Sequence, residues 1–142
     1  MHEALAKANF DKDVAVLTPQ YAKQAGWTVN NQTFPILDVT ANHTQSVRLR
    51  LTCDNWNELP PSIDILNPDG TPWSKSLPSG NIFNAGLHPA TNCPFICMRG
   101  SREYHTHPGH LNDAWDNYRN QAGMSLLGIL QQLIGFWRKN VQ

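Results

Sequence analysis

Val47, Leu49, Leu51 and Cys53 alternate with Arg48, Arg50 and Thr52, and this period of two is the tightest constraint in the chain. It predicts a strand with one face on a core and the other toward water. Ser62-Ile63-Asp64-Ile65-Leu66 reads as another strand, ended by the turn residues Asn67-Pro68-Asp69-Gly70. Thr33 to Thr40 reads as a further strand, on an edge or bulged because of Pro35. Helices flank this run. Ala4, Leu5 and Ala8 give a short apolar stripe, and Thr18-Pro19 is an N-cap with proline at the first helical position, stopped by Gly26. Leu126, Leu127, Leu130, Leu133, Ile134 and Trp137 share one face of a closing helix, with Arg138 and Lys139 near its C-terminus. From Pro68 to Pro94 neither period is visible. Compact domains rarely carry so long an irregular stretch unless it serves a site. A helix, a meander of strands, a long loop and a final helix predict an α+β domain spanning residues 1–142 without repeats or linkers.

Composition excludes several classes. The 142 residues suffice for one domain that buries roughly two-thirds of its unfolded surface. Eleven basic residues balance eleven acidic ones with no basic run, so nucleic acid is not an expected partner. The apolar stretch Leu126 to Trp137 is broken by Gly128, Gln131, Gln132 and Gly135, too short and polar for a bilayer. Met1-His2-Glu3-Ala4-Leu5 shows no signal-peptide pattern, so a cytoplasmic location is expected. In that setting Cys53, Cys93 and Cys97 are read as reduced thiols.

Cys53 sits on the apolar face of a strand, where a free cysteine behaves as a small hydrophobe. Cys93 lies in a loop with no evident partner. Cys97 differs: it sits in the brief apolar run Phe95-Ile96-Cys97-Met98, followed by Glu103, His105, His107 and arginines. Proton-accepting or positive neighbours favour the reactive thiolate.

The ordered set from Pro60 to Trp137 resembles the ubiquitin-conjugating (UBC) family. Leu59-Pro60-Pro61 and the strand after it are similar to that family's proline turn. His88-Pro89 matches the first two residues of its His-Pro-Asn motif, Cys97 falls where its carrier cysteine stands, and Trp115 and the closing helix complete the order. Two departures stand out. Ala90 replaces the motif's asparagine, for which Asn92 and Asn84 are nearby candidate substitutes, and the segment from Gly100 to Asn112 is longer than in eukaryotic members. Its Glu103-x-His105-x-His107 pattern resembles a bacterial group found with ubiquitin-like proteins, activating enzymes and deubiquitinases in antiphage operons. The resemblance implies a UBC-like fold and a carrier that takes a ubiquitin-like protein from an activating enzyme as a thioester on Cys97. It then passes that protein to an amine of a target protein, with no cofactor. On this reading the catalytic residues are Cys97, His105 or His107 as base, and Glu103 orienting one imidazole.

Two alternatives stay open beside it. Cys97, Glu103, His105 and His107 make an acceptable zinc set, although no Cys-x-x-Cys mate is present. The metalloisopeptidase pattern fails, because Trp115 and Tyr118 stand where Ser and Asp belong. A non-catalytic UBC-like adaptor is kept open by Ala90. His2, His43 and His110 read as ordinary surface residues, and Trp56, Trp73 and Trp115 as core. Tyr104, between Glu103 and His105, is the aromatic to watch.

Overall fold

The computed structural model describes residues 1–78 and 82–141. The fold is α+β. Two helices, α1 (Glu3–Val14) and α2 (Pro19–Ala25), precede a four-stranded antiparallel meander of β1 (Trp27–Thr33), β2 (Ile36–Ala41), β3 (Val47–Thr52) and β4 (Ser62–Leu66), in that spatial order. A two-stranded sheet of β5 (Phe83–Leu87) and β6 (Pro94–Ile96) follows, then the short helix α3 (Arg102–Thr106), 3-10 turns at Pro108–His110 and Trp115–Asn117, and α4 (Leu126–Asn140). Among the described residues no helix is long and apolar enough to cross a membrane.

The alternation in β3 is realised as read. Val47, Leu49 and Leu51 face inward and pair across the ladder with Ala41, Val39 and Leu37. Together with Ile63 and Ile65 they form the floor on which α4 packs the expected stripe of Leu126, Leu127, Leu130, Leu133, Ile134 and Trp137. Cys53 is buried in this core, as expected of a thiol acting as a small hydrophobe. The opposite face carries charge. Asp38 accepts hydrogen bonds from Arg48 Nε (2.8 Å), Arg50 Nε (3.1 Å) and Asn30 Nδ2 (3.1 Å).

Thr18 caps α2 by accepting from the Tyr21 N–H, and Gly26 ends it at φ 75°, a left-handed conformation open to glycine without strain. In α1 the buried residues are Ala6, Phe10 and Val14, whereas Leu5 is 53% exposed. The i, i+4, i+8 row through Phe10 presents more apolar area than the stripe of Ala4, Leu5 and Ala8, and so decides which face docks.

Two further expectations change. Thr33 to Thr40 is not one strand but a hairpin: Phe34-Pro35 form its turn, and Thr33 pairs with Ile36. Proline has no N–H to offer a ladder, so the chain reverses there. The crossing from Pro68 to Pro94 is not wholly irregular either, because β5 and β6 pair within and beyond it. Strands this short, with Asn84 and Gly86 inside, give no readable period. Residues 79–81 of the crossing lie outside the described residues.

Candidate active site

β6 ends at Ile96, and the Cys97 N–H donates to Ile82 O at 2.6 Å, so the crossing that precedes β5 holds the cysteine backbone in place. The thiol is partly exposed. Its Sγ lies 3.5 Å from Nε2 of His110, close enough for the S–H to donate to the ring. Burial among protein atoms pushes the Cys97 thiol above its ordinary pKa, so at rest it is a thiol rather than a thiolate.

His110 closes the 3-10 turn that Pro108 begins. His107 caps that turn, its Nδ1 accepting from the Gly109 N–H at 3.0 Å. The His110 ring stacks on Tyr104 with centroids 4.0 Å apart and planes 15° from parallel. The Tyr104 hydroxyl donates to Asp113 Oδ2 at 2.5 Å, where Arg99 Nε also donates at 2.8 Å; the Tyr118 hydroxyl donates to Asp113 Oδ1. These donors, Tyr104 foremost, hold the Asp113 carboxyl far below the usual carboxylate range. The wall behind His110 is thus one aromatic ring whose hydroxyl is held by the Asp113 carboxylate.

The residues that the sequence analysis assigned do not all meet. The Glu103 carboxylate is buried and accepts from Ser62 Oγ at 2.6 Å and from the Ile63 N–H at 3.0 Å, on the β4 side of α3. It therefore orients neither imidazole but ties α3 to the sheet. Burial raises its pKa despite those hydrogen bonds. Arg102 reinforces the tie, its N–H donating to Pro61 O at 2.8 Å and its Nε to Pro60 O at 3.1 Å. His105 is fully committed: Nδ1 donates to Asp113 O at 2.7 Å and Nε2 accepts from the Gly100 N–H at 3.1 Å. Only the neutral ring protonated on Nδ1 satisfies a carbonyl and an N–H at once. Burial depresses its pKa accordingly, so His105 is a fixed cross-link rather than a base. His107 stacks on Phe95 at 5.7 Å and lies 5.6 Å from the His110 ring, between the turn and the cysteine strand.

The four residues weighed as a zinc set therefore do not converge. Among the described residues no three His, Cys, Asp or Glu side chains are placed to hold an ion. His110, expected to be an ordinary surface residue, is instead half-buried and is the candidate site residue that the sequence did not point to. It stands thirteen residues from Cys97 and belongs to no motif quoted above; the only signal was its membership in the histidine-rich stretch.

His88 is 1% exposed and joins the turn after β5 to α3, with Nε2 donating to Glu103 O at 2.9 Å and Nδ1 accepting from the Ala90 N–H at 3.0 Å. Of the two amides that could replace an asparagine at position 90, Asn84 uses its Oδ1 on the Gly86 N–H, whereas Asn92 is exposed on the turn before β6 with φ 56°. A cavity of about 550 Å³ lies away from this cluster, lined by residues including Arg50, Asp64, Leu66, Trp73 and Cys93, and none of Cys97, His105, His107 or His110 reaches it.

Residues 83–141 match the model of the Y4jH-like family. A 43-residue stretch is 42% identical to uncharacterized protein y4jH of Sinorhizobium fredii (strain NBRC 101917 / NGR234), covering 30% of this chain and 21% of that one. The chain thus matches about a fifth of the length of that curated relative. The family match runs from β5 through α4 and takes in the whole cluster around Cys97.

Proposed function

We propose that the chain is a carrier of the ubiquitin-conjugating type, in which Cys97 takes the C-terminus of a ubiquitin-like protein from an activating enzyme and passes it to a target protein. The observation that carries this reading is the partly exposed Cys97 thiol with the His110 imidazole 3.5 Å away. The helix–meander–crossing–cysteine order supports it. Since the resting group is a thiol, a base is needed when it attacks. His110 Nε2 takes the proton as Sγ bonds to the acyl carbon. The donor's C–S bond breaks, and the proton ends on the thiol released from the activating enzyme. Asn92, exposed on the turn before β6, is the candidate donor to the oxyanion.

Incubation with a cognate activating enzyme, ATP and ubiquitin-like protein should give an adduct sensitive to dithiothreitol and absent in Cys97→Ala. An adduct that persists in that variant, or none with wild type, refutes the carrier. The adaptor reading draws on Ala90 and on the raised thiol pKa; it requires Cys97→Ser to retain full biological function.

A further inference from the structure

The charges around Cys97 bear on what accepts the carried protein, and this inference rests on the carrier reading. A lysine acceptor arrives as an ammonium with a pKa of about 10.4. A free carboxylate favours such an acceptor, because it attracts the cation and helps to strip its proton. The two carboxylates that join this cluster are both spent. Glu103 is buried against Ser62 and Ile63 on the far side of α3, and Asp113 already accepts from Tyr104, Tyr118 and Arg99. The Arg99 guanidinium, half exposed and set over Tyr118 at 4.9 Å, neutralises Asp113, so the pair offers an arriving ammonium no net attraction. The site does hold an imidazole directly beside the sulfur that will leave, with His110 Nε2 3.5 Å from Sγ. That is the equipment a hydroxyl requires. A hydroxyl is uncharged on arrival, needs no carboxylate to draw it in, and becomes a competent nucleophile only when a base removes its proton during attack.

We infer that the acceptor at Cys97 is a hydroxyl, a serine or threonine side chain of the target, rather than the amine that the family resemblance implies. In the transfer the hydroxyl proton goes to His110 Nε2 and the oxygen bonds to the thioester carbon. The C–S bond then breaks, and His110 returns the proton to Sγ, leaving an ester and the free Cys97 thiol.

The test pre-loads Cys97 with a ubiquitin-like protein, removes ATP, and follows discharge onto threonine or lysine, each blocked as the Nα-acetyl amide, at equal concentration and pH 7.5. Threonine is expected to discharge the thioester at least tenfold faster than lysine, giving a product that resists dithiothreitol but is cleaved by hydroxylamine. Because loading precedes the measurement, His110→Gln is read on discharge alone and should slow the threonine reaction at least tenfold. Arg99→Gln should raise the lysine rate severalfold. Faster discharge onto lysine with a hydroxylamine-stable product overturns the inference while leaving the carrier intact, and so does a rate with threonine no greater than hydrolysis. Failure of the wild type to load overturns the carrier reading and this inference with it.

Discussion

At the scale of single residues, the site separates groups that can move a proton from groups that only hold the chain. His105 and His110 sit five residues apart on one segment, yet both ring nitrogens of the first are occupied, whereas the second meets a thiol. Alkylation by iodoacetamide in a Cys93→Ser background should therefore report on Cys97 alone, since Cys53 is buried with its pKa pushed up by burial. His110→Ala should lower the rate near pH 7 by about 10²-fold and move reaction to alkaline pH. An unchanged profile would remove His110 from the chemistry. The buried carboxylates Asp38 and Glu103 should act in opposite directions. Burial raises the Asp38 pKa, but hydrogen bonds from Arg48, Asn30 and Arg50 outweigh it and leave the group below its ordinary value. The stability it confers is complete above the unfolded value, about 3.9, and is lost as pH falls through the folded value. For Glu103 burial wins and the folded pKa lies above the unfolded one, so protonating it on acidification stabilises the fold. In urea titrations from pH 7 to pH 3, Asp38→Asn should flatten the acid-side loss of stability and Glu103→Gln should steepen it. Identical profiles would mean that neither group titrates as described.

At the scale of elements, α4 carries a contrast between two glycines. A Cβ at Gly128 would stand 2.6 Å from the Gly123 carbonyl oxygen, a backbone atom with little room to give, whereas one at Gly135 meets nothing within 4 Å. Gly128→Ala should therefore destabilise the protein by about 1–3 kcal/mol through overpacking. Gly135→Ala should stabilise it by about 0.5–1 kcal/mol, because alanine loses less backbone freedom in a helix. Chemical denaturation of the two variants settles the pair, and equal effects would contradict the packing. The closeness at Gly128 is what lets the loop ending at Gly123 fold back on the first turn of α4, held further by Gln132 Nε2 on Gly123 O at 2.7 Å. α3 serves the site in the same way. Ser101 caps it and also donates to Ile96 O at 2.7 Å, joining the cysteine strand to the helix that carries Tyr104 and His105.

At the scale of the whole molecule, stability and chemistry are separate. Leu130 is fully buried on the core face of α4, and Leu130→Ala should cost about 2–5 kcal/mol while any folded fraction still loads Cys97. Cys97→Ser removes the thiol from a partly exposed position and should barely move the melting temperature while abolishing loading. If Cys97→Ser also unfolds the protein, the sulfur belongs to the core and the site is misplaced.

The sequence alone determined the α+β class, the inward face of β3, the stripe of α4 and the caps of α2, because each is written in local periodicity or in a residue's own backbone preference. It also singled out Cys97, through the apolar run around it and the polar, histidine-rich segment that follows. The reversal at Phe34-Pro35 was local but hidden inside what read as one strand. The pairing of β5 with β6 and the docking face of α1 were decided by contacts between segments, which no local period encodes. So were the roles of the histidines. His105, His107 and His110 are the same chemical group, and only the folded chain decided which ring nitrogen would meet a carbonyl, which an N–H, and which a sulfur.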